Sequence, residues 1–395
     1  MSNLVRFEIK KFCNRKKNLL SIIVFILLVI VFITLNLNLE NKLKKSEKTS
    51  IDLEIESVES ALSNVEVELI RLPDNENLEK IKINYKEQLN LLKNIKGSYE
   101  SGNFNEYLQY KIQLDEKLLS DIESESVISP QNPEEIKQSI EINKLLLEKN
   151  IEPIYTSVSM EGFNFIKLLL NNPISIVIVI LIIILSADVM SSEFDSNTYK
   201  LLFTQPISKM KILLSKVIAI LIMVNSTLFG VITISFCVLG VVNGFGSINY
   251  PIQFYNNNII EYISIGEFIL FEIVLFIIVT VFISILSVTI SSFSKSTSNS
   301  ISTTIILVVS AYMISNKGFL SNLSHLNPFV YFDISNVLQG NLAISYGNVN
   351  INFKFGVLVL GLSTIIFLIA NVFLFKKNNI SKWNFMKKIK LISYY

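Results

Sequence analysis

The hydrophobic positions of this chain fall into two kinds of pattern. The first is the uninterrupted apolar run. A helix needs about 20 residues to cross roughly 30 Å of hydrocarbon, and six stretches reach or approach that length. They are residues 19–37, which hold no charge; 168–187, with Asn171, Asn172 and Pro173 near its start; 217–242, interrupted by little beyond Asn225, Ser226 and Thr227; 273–290; 301–314, the shortest; and 355–375. The fourth extends back towards Ile265 only by accepting Glu267 and Glu272. The second pattern is a heptad. Between the first and second runs, Ile51, Ile55, Val58, Leu62, Val65, Leu69 and Leu72 recur in steps of four and three, a seam for a partner helix that Pro73-Asp74 ends. Further helical runs follow through Leu78, Ile81, Tyr85, Leu89 and Leu92, stopping near Gly97; through Phe104, Leu108, Ile112, Leu118 and Ile122; and, after Pro133, through Ile136, Ile140 and Leu147. This region reads as a helical hairpin or small bundle whose seams are internal packing rather than a binding surface.

Composition changes the picture in one respect. Half the residues are hydrophobic and 17% are charged, which excludes an ordinary soluble globule. The net charge of +2 is the sum of two opposed regions: residues 38–165 carry 25 Asp/Glu against 15 Lys/Arg, and the remainder carries 8 against 20. A chain-wide nucleic-acid footprint is therefore excluded. Basic residues crowd the first 18 positions (Arg6, Lys10, Lys11, Arg15, Lys16, Lys17), the connection after the second run (Lys200, Lys209, Lys211, Lys216) and the tail after Phe375. The connection of residues 243–264 has none. By the positive-inside rule both termini face the cytoplasm, and an even number of spans agrees. The expected fold is an all-α polytopic membrane protein with six transmembrane helices and a helical, coiled-coil-like extracytoplasmic lobe. Its parts are an N-terminal interfacial helix and first span (1–37), the lobe (38–165), spans two to six with a cytoplasmic helix at 191–205 (166–376), and a basic cytoplasmic tail (377–395). The first run is expected to be a retained span, since no small-x-small cleavage site follows it. Residues before it, with Leu4, Val5, Phe7, Ile9 and Phe12 among basic side chains, suit either an amphipathic interfacial helix or a basic flank that only sets topology.

Candidate chemistry is sparse. There is no G-x-x-x-x-G-K-[ST] loop to cradle phosphates and no H-E-x-x-H. Cys13 and Cys237 stand far apart, and His325 is the one histidine, so neither a disulfide framework nor a histidine-rich metal site is available. The chain alone is not expected to be an enzyme. Glu267 and Glu272 lie five residues apart, about 140° around a helix. They read as interfacial flanks before they read as a substrate or proton site. Asp188, at the inner end of the second run, reads as an interfacial residue, and His325 as a polar surface residue.

The most informative segment is residues 188–216, DVMSSEFDSNTYKLLFTQPISKMKILLSK. Ser191 or Ser192 can cap a helix with Glu193 and Asp195 near its positive end. Phe194, Thr198, Leu201 and Leu202 then recur at i, i+4, i+7 and i+8, and Pro206 breaks the helix before Lys209, Lys211 and Lys216. Such a helix suits either a groove in a soluble partner or the lipid interface.

This segment resembles the type-2 ABC transporter permeases. In that family an acidic residue after the second span is followed by E-x-x-x-G-T, a Leu-Leu pair, and Pro-[Ile/Val/Leu]-Ser-Arg leading to a lysine. Asp188, Glu193, Thr198, Leu201-Leu202, Pro206-Ile207-Ser208 and Lys216 stand in matching places, while Asn197 replaces the usual glycine and Lys209 the usual arginine. LVRFEIKKFCNRKKNLL at the start, SSFSKSTSNS at 291–300 and HLNPFVYF at 325–332 resemble further family features. The resemblance does not cover the lobe. It implies the transmembrane subunit of an ABC exporter in a bacterial cytoplasmic membrane, with no cofactor in this chain. ATP and Mg would be bound by a separate ATP-binding subunit, and a second permease chain, identical or different, would complete the path. Nucleic acid is not an expected partner. The resemblance further implies that residues 191–205 form the coupling helix, with Leu201, Leu202 and Phe203 as anchors, Lys200 and Lys209 as rim contacts, and Glu193, Phe194, Thr198, Pro206 and Ser208 as part of the same ATPase-coupling element. The cargo would be a peptide such as an antimicrobial, another lipophilic compound, or an ion. A different reading is a mechanotransmission or sensory module that moves its lobe without transporting anything. A secondary transporter is weaker still, because the spans offer few buried charges.

Overall fold

The computed structural model describes the chain apart from residues 125–131, 157, 172–173, 205, 257–258, 316–320 and 393–395, and apart from the side chains of Phe203 and residues 374–392. Helix α1 (Ser2–Cys13) turns at Asn14 into α2 (Lys16–Arg71). The apolar run and the heptad seam, separate patterns in sequence, share this single helix of 56 residues. It contains no glycine or proline, so nothing breaks it before Pro73. At 1.5 Å per residue it is about 84 Å long, far more than a bilayer requires.

The second half of α2 packs on α3 (Glu76–Ser101), which packs on α4 (Phe104–Glu123), and that on α5 (Pro133–Glu148). Asn75, Asn103 and Asn132 cap these three helices through their side-chain oxygens. Helix α3 runs through Gly97, where the sequence suggested a stop, and ends at Gly102 with φ +71°. A lone helical glycine costs about 1 kcal/mol, which packing absorbs, whereas the left-handed turn at the end needs glycine. Ile51 and Val58 of the heptad face α3 and are buried, so the seam is internal packing. Ile51, Ile95, Leu108 and Leu146 form the lobe core, and the rings of Tyr99, Tyr107 and Tyr155 meet beside it. The chain leaves the lobe next to where it enters: Met160 N donates to Glu40 Oε2 at 3.0 Å.

The remaining helices form a bundle. In order they are α6 (Gly162–Leu169), α7 (Ile174–Ser186), two short helices α8 (Ser191–Asp195) and α9 (Tyr199–Thr204), and α10 (Lys209–Asn243). Then follow α11 (Ile265–Phe293), α12 (Thr297–Ser315), α13 (Ile334–Leu338), α14 (Asn341–Tyr346) and α15 (Phe353–Ile392). Five of the described helices, α2, α10, α11, α12 and α15, are long and apolar enough to cross a membrane. The second apolar run is not one straight helix: it is divided between α6 and α7, which meet at 68° and together would make a sixth span. Helix α11 is the centre of the bundle, packing against α6, α7, α10, α12, α13 and α15.

Two features of the bundle exceed the sequence expectation. A hairpin of β1 (Pro251–Asn256) and β2 (Ile259–Ser264) pairs antiparallel, Pro251 opposite Ser264 and Asn256 opposite Ile259. Tyr250, just before it, packs against both the bundle core and the lobe core. The fourth span begins at Ile265 rather than Ile273. Ser264 and Glu267 make reciprocal side-chain to backbone hydrogen bonds at 3.2 and 3.3 Å, a capping box that starts the helix a full two turns earlier.

Candidate functional site

Residues 188–216 lie at the end of the bundle where α1 packs along α10. The expected continuous helix over 191–205 is instead α8 and α9, separated by Asn197 at φ +57°. A left-handed residue cannot continue a right-handed helix, and asparagine is among the few side chains that adopt this conformation readily. The apolar stripe is split accordingly. Phe194 on α8 turns back onto the Tyr199 ring at 5.2 Å. Leu201 on α9 is 71% exposed, and Leu202 is half-buried. Lys200, Pro206, Ser208 and Lys209 are exposed, and the side chain of Phe203 lies outside the described residues.

Beneath this exposed turn is a cluster of buried charges. Lys216, near the start of α10, is 1% exposed and Glu193 is 5% exposed. The Lys216 ammonium donates to Glu193 Oε1 at 2.7 Å and also meets Glu8 Oε1 of α1 at 2.8 Å. Lys11 of α1 donates to the same Glu193 oxygen, and the Thr198 hydroxyl donates to the other. Burial by itself raises the Glu193 carboxyl; the charge of Lys216 with the hydrogen bonds from Lys11, Lys216 and Thr198 outweighs it and holds the group down at about 2. Asp188, also buried, accepts from Arg15 at 2.9 Å and meets Lys17 at 2.7 Å, while Arg15 donates to Ser192 Oγ at 2.7 Å. A cavity of about 20 Å³ beside Glu8, Lys11, Arg15 and Lys216 has room for a water molecule and none for a nucleotide.

The segment is tied equally firmly to the far ends of two spans. Ser291 Oγ of α11 accepts from the backbone N–H groups of Met190 and Ser191 at 3.1 and 2.9 Å. Ser300 of α12 donates to the Ala187 carbonyl, and Thr297 donates to Asp195 at 2.9 Å. Of the residues expected to act here, Glu193 lies at the centre of the cluster and Thr198 bonds to it from the exposed side, while Leu201, Lys200 and Lys209 are left at the surface. Lys11, Arg15, Lys17, Lys216 and Glu8 were not singled out as partners by sequence reasoning. The signal was available: Asp188 and Glu193 are carboxylates at the mouth of an apolar bundle whose flanks there are mainly basic.

A family model described as ABC-2 family transporter protein matches residues 2–380. The chain belongs to the ABC-2 transporter family. The match spans the lobe as well as the bundle, and the family is that of non-catalytic transmembrane subunits served by an ATP-binding partner. No curated protein matches this ABC-2 chain significantly, and no solved structure does. Among its described residues no group of three or more His, Cys, Asp or Glu side chains is arranged to hold a metal ion.

A second polar site lies elsewhere in the bundle. Glu272 of α11, expected at the interface, is fully buried because α11 begins two turns early and α6 and α13 close over it. Ser335 Oγ of α13 lies within hydrogen-bond distance of Glu272 Oε1 and of the Lys167 carbonyl of α6, the latter at 3.2 Å. His325 is half-buried, its Nδ1 3.1 Å from Asn348 Nδ2 and its ring against Phe355.

Proposed function

We propose that this chain is the permease subunit of an ATP-driven exporter and that residues 188–216 transmit the work of a separate ATP-binding subunit to the spans. The observation that carries the reading is an exposed Leu201 on a helix whose preceding residue, Thr198, is hydrogen-bonded into a buried hub. The hub, Glu193 with Lys216, Lys11 and Thr198, joins the segment to α1 and α10, and the serine contacts join it to α11 and α12. A push on α9 is therefore delivered to four helices at once. Leu201, Leu202 and Phe203 serve as apolar anchors in a groove of the partner, with Lys200 and Lys209 at the rim. Both termini and this segment face the cytoplasm, the α2–α5 lobe faces outward, and two permease chains pair around the path in a bacterial plasma membrane. ATP and Mg bind in the partner. The cargo is a peptide, an antimicrobial or another lipophilic compound.

The test is Leu201→Asp with Leu202→Asp, co-expressed with the ATP-binding subunit. A desolvated apolar anchor is worth about 2–4 kcal/mol, so the complex should dissociate during purification in mild detergent and coupled ATP hydrolysis should vanish. A complex retained with coupled hydrolysis refutes the assignment.

A second reading, mechanical transmission to the lobe without cargo, is favoured by one observation: α2 runs unbroken from the charged hub, where Arg15 and Lys17 hold Asp188, into the lobe.

A further inference from the structure

The Glu272 site poses a problem of hydrogen counting. Ser335 Oγ has one hydrogen and faces two oxygens, Glu272 Oε1 and the Lys167 carbonyl. If Glu272 is ionised, both are acceptors, and one of the two contacts sets lone pair against lone pair. The other carboxyl oxygen, Oε2, is buried without a hydrogen-bond partner, and among the described residues no lysine or arginine forms an ion pair with Glu272. A carboxylate with no ion pair and one oxygen unpartnered is among the costliest groups to bury, and such a group takes up a proton instead. A proton on Oε1 resolves every contact: the acid O–H donates to Ser335 Oγ, and the serine donates to the Lys167 carbonyl.

We propose that Glu272 is a proton-binding site, occupied at neutral pH, whose hydrogen completes a relay from α11 through Ser335 of α13 to the backbone of α6. The relay latches α13 onto the bundle. The same short helix is held beside it by Asn336 Nδ2 donating to Asn171 Oδ1 at 3.2 Å, and its Ile334, Val337 and Leu338 side chains are buried. Lys167 is the one charged residue of α6. The other charges on packed elements are Asp333 before α13, Glu261 on β2, Glu267 on α11 itself and Lys354 at the start of α15, whose other lysines all follow Phe375 in the chain, while α7 and α12 carry none; those of α8 and α10 belong to the opposite end of the bundle. Loss of the proton to solvent would leave Glu272 and Ser335 sharing a single hydrogen between three oxygens, and Lys167 free to approach. The α13 latch is thus made to open when water reaches it and the proton leaves. None of this depends on how the cytoplasmic segment engages a partner.

The test uses the full chain in lipid nanodiscs. Infrared difference spectra between wild type and Glu272→Gln at neutral pH should show the carbonyl stretch of one protonated carboxylic acid, and Ser335→Ala should shift that band upward by removing its hydrogen-bond partner. Glu272→Gln keeps a donor for Ser335 at every pH. Its thermal midpoint should therefore hold as pH rises from mildly acidic to alkaline, while that of wild type falls away from it. Absence of the acid band, a band indifferent to Ser335→Ala, or parallel pH profiles for wild type and Glu272→Gln would each overturn the proposal.

Discussion

Lys216 and Glu193 are nearly inaccessible to water, and their pairing, with Glu8 and Lys11 beside them, makes that burial tolerable. Removing one member of a buried pair leaves an uncompensated charge and costs about 3–5 kcal/mol. Lys216→Met is therefore expected to destabilise the chain by that order in denaturant unfolding, since it leaves Glu193 and Glu8 with Lys11 as the one remaining cation of the cluster. Adding Glu193→Gln should recover part of the loss. In the double variant Glu8 and Lys11, three residues apart on α1, are left to pair with each other, and the coupling between the two substitutions should be about 1–3 kcal/mol. Additive effects would show that the cluster is not a unit. The pH dependence follows from the same geometry. Glu193 titrates at about 2 in the folded chain against an ordinary 4.5, so the folded state binds its proton less readily than the unfolded state does. The stabilisation is fully present above about pH 4.5, and it is lost as pH falls towards about 2. Thermal midpoints of wild type should fall through that window, and those of Glu193→Gln should fall less.

At the level of elements the decisive residue is Asn197, whose positive φ divides α8 from α9 and so aims Leu201 outward while Glu193 stays inside. Asn197→Gly should leave the unfolding free energy within about a few tenths of a kcal/mol of wild type and the thermal midpoint nearly unchanged. Asn197→Val, β-branched and forced to φ +57°, should cost about 1–2 kcal/mol; equal midpoints for the two variants would mean that the left-handed turn is not maintained. The same segment shows where sequence reading succeeds. The long spans were legible because an apolar run of this length has few other solutions, and the lobe helices because heptad spacing is a local signal. The 188–216 segment was legible as an element for the same reason. Its break was not, because Asn197 matches a helical interior in period and departs from it only in φ. The partners of Glu193 were invisible for another reason: Lys11 lies 182 positions away in the chain, and no periodicity links them. Glu272 was misplaced because burial there is made by α6 and α13, and α13 sits in a connection that has no apolar run of its own. The hairpin had a signal, three asparagines between Ile-, Tyr- and Phe-rich strands, which the apolar runs on either side overshadowed.

For the molecule as a whole, α2 sets up the choice between carrying a cargo and moving the lobe. One helix about 84 Å long passes from the charged hub through the bundle and becomes the first helix of the lobe, so a tilt at one end displaces the other without any joint to absorb it. The neck of the lobe makes a clean separation possible. Glu40 and Met160 are hydrogen-bonded neighbours at 3.0 Å, so residues 42–158 can be replaced by a short Gly-Ser linker without moving either flank. The variant loses the lobe contacts of Tyr250, which packs against both cores, and its thermal midpoint should drop. Complex formation with the ATP-binding subunit should survive, because among the described residues the partners of the 188–216 hub lie outside the deleted stretch. If the bundle is the transport path, ATP hydrolysis in the purified complex should still rise when lipophilic cargo is added to proteoliposomes, at a rate within about tenfold of wild type, a barrier change of about 1.4 kcal/mol. If the lobe is the moving part, hydrolysis should continue with no response to any cargo. In that case a spin-label pair spanning Glu40 and the lobe of the intact chain should change its distance on ATP addition, and breaking α2 with Asn41→Pro should abolish that change while leaving complex formation intact.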